Sequence, residues 1–199
     1  PVIAGAVAVF DGGSAHRTAL FPAYKKKRDE AKEKRDPELV AQLKRLEDVA
    51  KSFLMYMGVT CLHATGVEAD DLIALGCKGL DDHNKMVHTV DADLLQLSDE
   101  RTVIFLRNQP QVDGTYTDAD GQAVPYDLIV LYKALCGDKS DGYPGVYRFG
   151  PKSWEHLVNE FGLDGMREID QCFKTQNFEA VEDCLNVTKD KTLGHVYSN

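Results

Sequence analysis

No stretch of the 199-residue chain approaches the roughly 18 to 20 consecutive apolar residues that a membrane helix needs, and the start at Pro1 lacks a basic-then-apolar signal pattern. An intracellular protein with no membrane partner is therefore expected. The five cysteines (Cys61, Cys77, Cys136, Cys172 and Cys184) are odd in number, widely spaced and form no C-x-x-C. This argues against a disulfide scaffold or a zinc site and for reduced core thiols. Internal repeats and low-complexity linkers are missing, which excludes solenoids and disordered tails. Positive charge is in deficit, with 23 Lys and Arg against 32 Asp and Glu and a net charge of −9. Taken over the whole surface, that argues against a nucleic-acid binder, although the distribution of the charges points the other way. Against these absences stands a 43% hydrophobic content, enough for one core with a small appended lobe.

Val2 to Phe10 is apolar and β-branched without helical period and stops at Asp11-Gly12-Gly13, which predicts a buried strand and a sharp turn. Residues 25–35 (KKKRDEAKEKR) hold seven basic and three acidic side chains. Leu39, Val40, Leu43, Leu46, Val49, Phe53 and Met57 then recur at spacings of three and four, predicting an amphipathic helix with Pro37 in its first turn and Gly58 at its end. Val59 to Leu62, Met86 to Val90 and Thr102 to Leu106 read as strands, and Glu68 to Leu80 and Tyr126 to Cys136 as helices. Gln109 to Val124 reads as a hairpin or exposed loop. Beyond a run of turn formers, Trp154 to Phe161 reads as a helix closed by Gly162, with two more short helices after it. The alternation predicts an α/β fold with a mostly parallel central sheet flanked by helices. The boundary is placed near Pro125, giving a core over 1–125 and a helical lobe over 126–199.

Four segments far apart in the sequence carry closely spaced acids: Asp11, then Glu68, Asp70 and Asp71, then Asp91 and Asp93, then Asp138 and Asp141. At strand ends and helix starts of one parallel sheet they converge on one edge. Any single pair there reads equally as a helix cap or dipole partner; four groups together point to a shared crevice. Eight carboxylates in one crevice repel unless divalent cations sit among them, and oxygen-only ligands without nearby His or Cys favour Mg²⁺ or Mn²⁺. Two such ions about 4 Å apart suit phosphodiester hydrolysis. Asp118-Ala119-Asp120-Gly121 fails as a calcium loop, because Tyr116 stands where an acid is required.

These residues resemble the flap endonuclease and 5′ to 3′ exonuclease family, especially its bacteriophage members and the 5′ nuclease domain of bacterial DNA polymerase I. VFDGG at 9–13, Arg17, PAYKKKR at 22–28, GVEADD at 66–71, DADLLQL at 91–97 and GDKSDGYPGV at 137–146 occur in the family's order and spacing. The resemblance implies a PIN-like nuclease core whose eight acids surround two or more divalent ions. Of these, Asp11, Glu68, Asp70, Asp91 and Asp93 are expected at the tighter ion and Asp138 and Asp141 at the second, with Asp71 acting through water. Asp70 and Asp93 are the central catalytic carboxylates on this reading. A helical gateway at about 22–57 places Lys25 and Arg28 at the scissile phosphate, with Tyr24, Lys26 and Arg17 also on the DNA. A helix-hairpin-helix module at about 143–162 grips duplex phosphates through Gly145, Arg148, Gly150 and Lys152, and its backbone holds a monovalent cation such as K⁺. Arg148 stands where the family more often has Gly, and Gly142 where it has Asn. The resemblance matches Val2 to Phe10 to the family's second strand, so the family's first strand, ending in another metal-binding Asp, is expected either ahead of Pro1 or to be absent from a shortened member.

The implied activity is metal-dependent 5′-3′ exonuclease and flap endonuclease hydrolysis of DNA in replication or repair. The implied setting is a monomer in the cytoplasm of a bacterial cell or phage-infected host, with a DNA polymerase as a candidate partner. Removing the eight ligands leaves 24 acids against 23 bases, so the remaining surface can face DNA. Two alternatives stay open: a DNA-structure-binding protein that has lost catalysis, and an RNase acting on primer RNA:DNA hybrids. His63, His83, His88, His156 and His195 are read as structural, Trp154 as core, and Phe53 to Met57 as an apolar helix end.

Overall fold

The computed structural model describes residues 4–176; Cys184, His195 and the last of the expected helices lie outside the described residues. In chain order the elements are β1 (Val7–Phe10), α1 (Ala15–Leu20), α2 (Lys26–Glu33), α3 (Pro37–Tyr56), β2 (Thr60–His63), α4 (Ala69–Gly79), β3 (Lys85–Thr89), β4 (Thr102–Leu106), β5 (Gln109–Gln111), β6 (Thr115–Thr117), β7 (Ala123–Pro125), α5 (Ile129–Cys136) and α6 (Pro151–Lys174). Short 3₁₀ turns cover Ala92–Leu97 and Tyr126–Leu128. The chain folds into two compact units that interleave along the sequence.

One unit comprises Pro1–Val87, Asp99–Val103 and Ser140–Gly142. Here β1 and β2 pair in parallel, Val7 opposite Thr60 through Phe10 opposite His63. Helix α3 starts where Asp36 caps the Glu38 N–H at 2.9 Å with Pro37 at the first position, and ends before Gly58 at φ +80°. The predicted amphipathic face exists, yet Leu43, Leu46, Val49 and Phe53 are about half or more exposed. Periodicity defines a face; burying it needs a second layer, and among the described residues α3 packs chiefly on the short β2. For the same reason β1 is shorter and less buried than the apolar run Val2 to Phe10 suggests, with Val7 54% exposed. Among the described residues of this unit only Glu68 and Thr102 are buried, so one of its two enclosed positions is a carboxylate.

The other unit comprises His88–Ser98, Ile104–Lys139 and Tyr143–Asn199, and it holds the apolar core. Leu95, Ile104, Leu128, Ile129, Trp154 and Met166 are almost wholly enclosed, and Trp154 meets Tyr132 edge-on at 5.1 Å. The stretch 109–124 resolves into β5, paired antiparallel with β4, and the antiparallel hairpin β6–β7. Helix α6 breaks at Gly162 (φ +69°, ψ 172°), so the helix expected to close there does, and a second segment follows to Lys174. Cys61, Cys77, Cys136 and Cys172 are free thiols of intermediate burial, so they stand outside the core positions expected of them. Among the described residues no helix is long and apolar enough to cross a membrane.

The parallel β1–β2 pair and the strand–helix alternation give the expected α/β class, but among the described residues the strands divide into three small sheets: β1–β2, β3–β4–β5 and β6–β7.

Candidate active site

Among the described residues each unit gathers an acidic cluster. In the first, the Asp11-Gly12-Gly13 turn leaves β1 and is pinned to the segment ahead of α4. Gly12 donates its N–H to Val67 O at 2.9 Å, and Gly66 donates to Gly12 O at 2.7 Å. A Cβ on Gly12 would lie 1.8 Å from Ala64 O, so only glycine lets the two chains touch. The Asp11 carboxylate, exposed at the strand end, accepts the Gly13 N–H at 2.7 Å.

Glu68 stands at the N-cap of α4, with Asp70 and Asp71 in the first turn, where negative charge suits the helix dipole. Its buried carboxylate accepts from Arg17 Nη1, from Lys25 Nζ at 2.5 Å and from Tyr24 Oη at 2.9 Å. Arg17 also grips Asp71 in a two-pronged pair at 2.7 and 2.8 Å. Asp141 joins from the loop after α5. Its carbonyl accepts the Lys25 N–H at 2.8 Å, and its carboxylate lies 3.2 Å from Tyr24 Oη, 3.8 Å from Lys25 Nζ and 4.0 Å from Arg28 Nη1. Lys25 takes a left-handed backbone (φ +53°) to turn its side chain inward at the head of α2, while Lys26 begins that helix exposed.

Burial alone raises the Glu68 carboxyl, but hydrogen bonds from Lys25 and Tyr24 and the charges of Lys25 and Arg17 outweigh it, leaving it below its ordinary value. Lys25 is raised: burial opposes, and the bonds to Glu68 and Tyr24 with the charge of Asp141 prevail. Tyr24 is pushed up to about 12, first by burial and then by Glu68 and Asp141 against the pull of Lys25. All three therefore keep their usual charge state near neutrality.

The second cluster gathers Asp91, Asp93 and Asp138. Asp91 caps the 3₁₀ turn by accepting the Asp93 N–H at 2.9 Å. Lys133, in the last turn of α5, donates to Asp93 Oδ1 and to Asp138 Oδ2, the latter at 2.7 Å. Burial first, with the charges of Asp91 and Asp138, holds Asp93 above its ordinary value despite Lys133. Lys133 is not singled out by the sequence, because a basic residue in a last helical turn reads as a dipole partner. Within their own units, the pairs brought together are thus Glu68 with Asp141 and Asp93 with Asp138. Among the described residues no three His, Cys, Asp or Glu side chains are gathered in metal-holding geometry.

Between α5 and α6 the chain makes a tight turn. Asp138 and Tyr143 exchange backbone bonds at 2.8 Å, and Val146 donates to Leu135 O at 2.8 Å. Gly145 is left-handed (φ +67°), and a Cβ there would sit 2.4 Å from Gly137 N. Arg148 is also left-handed (φ +62°), which gives a backbone reason for a glycine preference at its position. Gly142 (φ +76°) would press a Cβ to 2.9 Å from Ala23 O. Gly150 differs: it is extended, with open space around it, at the N-cap of α6. Lys152 lies exposed at the second position of that helix.

Residues 3–123 match the family model described as 5′-3′ exonuclease, N-terminal resolvase-like domain. The chain is 38% identical over 169 residues to DNA polymerase I of Treponema pallidum, covering 80% of this chain and 16% of the polymerase. It is 30% identical over 176 residues to a 5′-3′ exonuclease of Mycoplasma pneumoniae, covering 85% of this chain and 55% of that protein. Its fold resembles T5 5′-exonuclease, solved with bound zinc as divalent metal ion, at a TM-score of 0.67 and 26% identity over 92% of this chain and 71% of that one. The chain thus spans about half the length of the curated exonuclease and a small part of the polymerase. With the matching model over more than half its length, this chain belongs to the 5′-3′ exonuclease family.

Proposed function

We propose that the chain hydrolyses DNA phosphodiesters at 5′ ends and flaps, with divalent metal, in replication or repair. The observation that carries this reading is the buried Glu68 carboxylate ringed by Arg17, Tyr24 and Lys25 beside Asp71 and Asp141. The donor set fits hard cations: every candidate ligand in both clusters is a carboxylate, and each cluster is dense enough in negative charge to draw basic side chains onto it. In this reading Asp11, Glu68, Asp70, Asp71 and Asp141 form one ligand set and Asp91, Asp93 and Asp138 the other, with Mg²⁺ or Mn²⁺ as the ion. When bound, such ions supply Lewis-acid activation of water and neutralise charge on the leaving oxygen.

The chain's own residues do the rest. Lys25 and Arg28 offer cations to the scissile phosphate, and Lys25 stays charged because its ammonium is anchored by Glu68. Tyr24 keeps its proton and orients Glu68. Arg17 locks Glu68 and Asp71 in one arrangement and leaves part of its guanidinium exposed. Lys26 extends the positive entrance. In the helical lobe over 126–199, the hairpin with Gly145, Arg148, Gly150 and Lys152 holds duplex phosphates at a helix start, a contact indifferent to base identity.

A labelled 5′-flap DNA with Mg²⁺ tests the reading. Short 5′ products that vanish with a chelator are expected. Intact DNA in a stable shifted complex overturns it in favour of a DNA-structure-binding protein, and faster cleavage of a matched RNA:DNA hybrid reassigns the substrate to primer RNA.

A further inference from the structure

Lys133 is unexplained by the roles above, and its surroundings are unusual. Its ammonium is shared by two carboxylates from different segments, Asp93 after β3 and Asp138 after α5. Both acids are fixed through their backbones: the Asp93 N–H is held by Asp91 Oδ1 at 2.9 Å, and Asp138 exchanges two 2.8 Å backbone bonds with Tyr143. The main chain of Lys133 is fixed too, since its carbonyl accepts the Gly137 N–H at 2.9 Å. The movable part of the group is therefore the lysine's four-carbon stem. Two carboxylates on one nitrogen lie within two hydrogen-bond lengths of each other, about 6 Å, and leaving them without a cation is unfavourable. A side chain 26% exposed can swing its head into water without disturbing α5.

We infer that Lys133 is a built-in counter-ion, holding Asp93 and Asp138 together in the metal-free protein and leaving them when a divalent ion takes the same oxygens. The inference rests on the metal reading of these acids and adds that metal uptake is an exchange of one cation for another. It follows that Lys133 weakens metal binding while preserving the arrangement of the ligands. Removing it makes uptake tighter and the metal-free protein less stable.

Two measurements test this. Titration calorimetry with Mn²⁺ compares the full chain with Lys133→Met and Lys133→Arg. The expected result is about tenfold tighter binding in Lys133→Met, the worth of one charge-assisted hydrogen bond, with a melting temperature lower by about 4 °C without metal and Lys133→Arg close to the parent. Lysine footprinting of the unaltered chain with an amine-acylating reagent, read by mass spectrometry, is independent of any variant's folding. Labelling of Lys133 rises severalfold on adding Mg²⁺ and stays constant at equal ionic strength of NaCl. Mn²⁺ binding by the parent with unchanged affinity in Lys133→Met, or unchanged labelling of Lys133, overturns the exchange alone. Absence of Mn²⁺ binding in every protein overturns the metal reading and the exchange with it.

Discussion

The phenol of Tyr24 stands between two carboxylates, donating to Glu68 Oε2 at 2.9 Å with Asp141 Oδ2 at 3.2 Å. Glu68 is 44 positions away in sequence and Asp141 is 117, so one neutral donor ties the N-cap of α4 to the loop after α5. Arg17 and Lys25 both pass near the same ring, at 5.9 and 4.9 Å from its centroid, which makes Tyr24 the hub of the cluster.

Tyr24→Phe removes the donor and keeps the ring. A loss of about 1 kcal/mol in urea unfolding at pH 7 is expected, the ordinary net worth of such a bond. Because the folded phenol titrates at about 12 against 10 when unfolded, its contribution is complete below pH 10 and is lost as pH rises toward 12. Unfolding curves of parent and variant therefore converge between pH 10 and 12. A gap that stays constant across that window counts against the assigned bond.

Glu68→Gln leaves Lys25 and Arg17 facing an amide instead of a charge. Lys25 is mostly enclosed, so a loss of about 2 to 3 kcal/mol is expected, less than for a fully buried pair because Arg17 is partly in water. The folded carboxyl lies below its ordinary value, so its contribution is present above pH 4.5 and fades as pH falls through the folded value. The difference between the two proteins shrinks in acid. Equal acid sensitivity in both removes Glu68 from the centre of the network.

Much of this was legible from residue patterns. Asp36-Pro37 and Gly58 bound α3 because capping and left-handed turns are local chemistry, and the acidic segments announce themselves by spacing. What was hidden depends on distant partners. Nothing in YKKKR distinguishes Lys25, which turns inward on a left-handed backbone, from Lys26, which points outward one residue later. Lys133 reads as an ordinary helix-end cation until Asp93 and Asp138 are placed beside it. The apolar stripe of α3 illustrates the reverse error, since its period is correct and its burial is not.

Lys25→Met separates anchoring from electrostatics at the proposed phosphate site. Single-turnover flap cleavage is expected to fall about 100-fold, the scale of losing one positioned charge in a transition state. The slope of log affinity for DNA against log salt should become shallower by about one. Unchanged cleavage with a shallower slope would leave Lys25 as a DNA contact only.

The hairpin gives a prediction in which fold and function part company. Gly145 is left-handed, and any Cβ would collide with Gly137 N at 2.4 Å, so Gly145→Ala must open the α5–hairpin junction and is expected to destabilise by at least about 2 kcal/mol. Arg148, also left-handed but on the exposed side, relaxes on replacement: Arg148→Gly loses the strain of a non-glycine residue there and gains up to about 1 kcal/mol, while surrendering a positive charge. Gly150 meets no neighbour and sits at the N-cap of α6, where a serine hydroxyl can accept an orphan N–H of the first turn. Gly150→Ser is thus expected to be neutral or stabilising by a few tenths of a kcal/mol in thermal melting. If the extended glycine serves the close approach of a DNA backbone, the same variant weakens binding to a hairpin duplex severalfold, measured by fluorescence anisotropy. Retained stability with reduced affinity assigns Gly150 to the duplex, whereas unchanged affinity confines the hairpin's contribution to Gly145 and the residues it packs against.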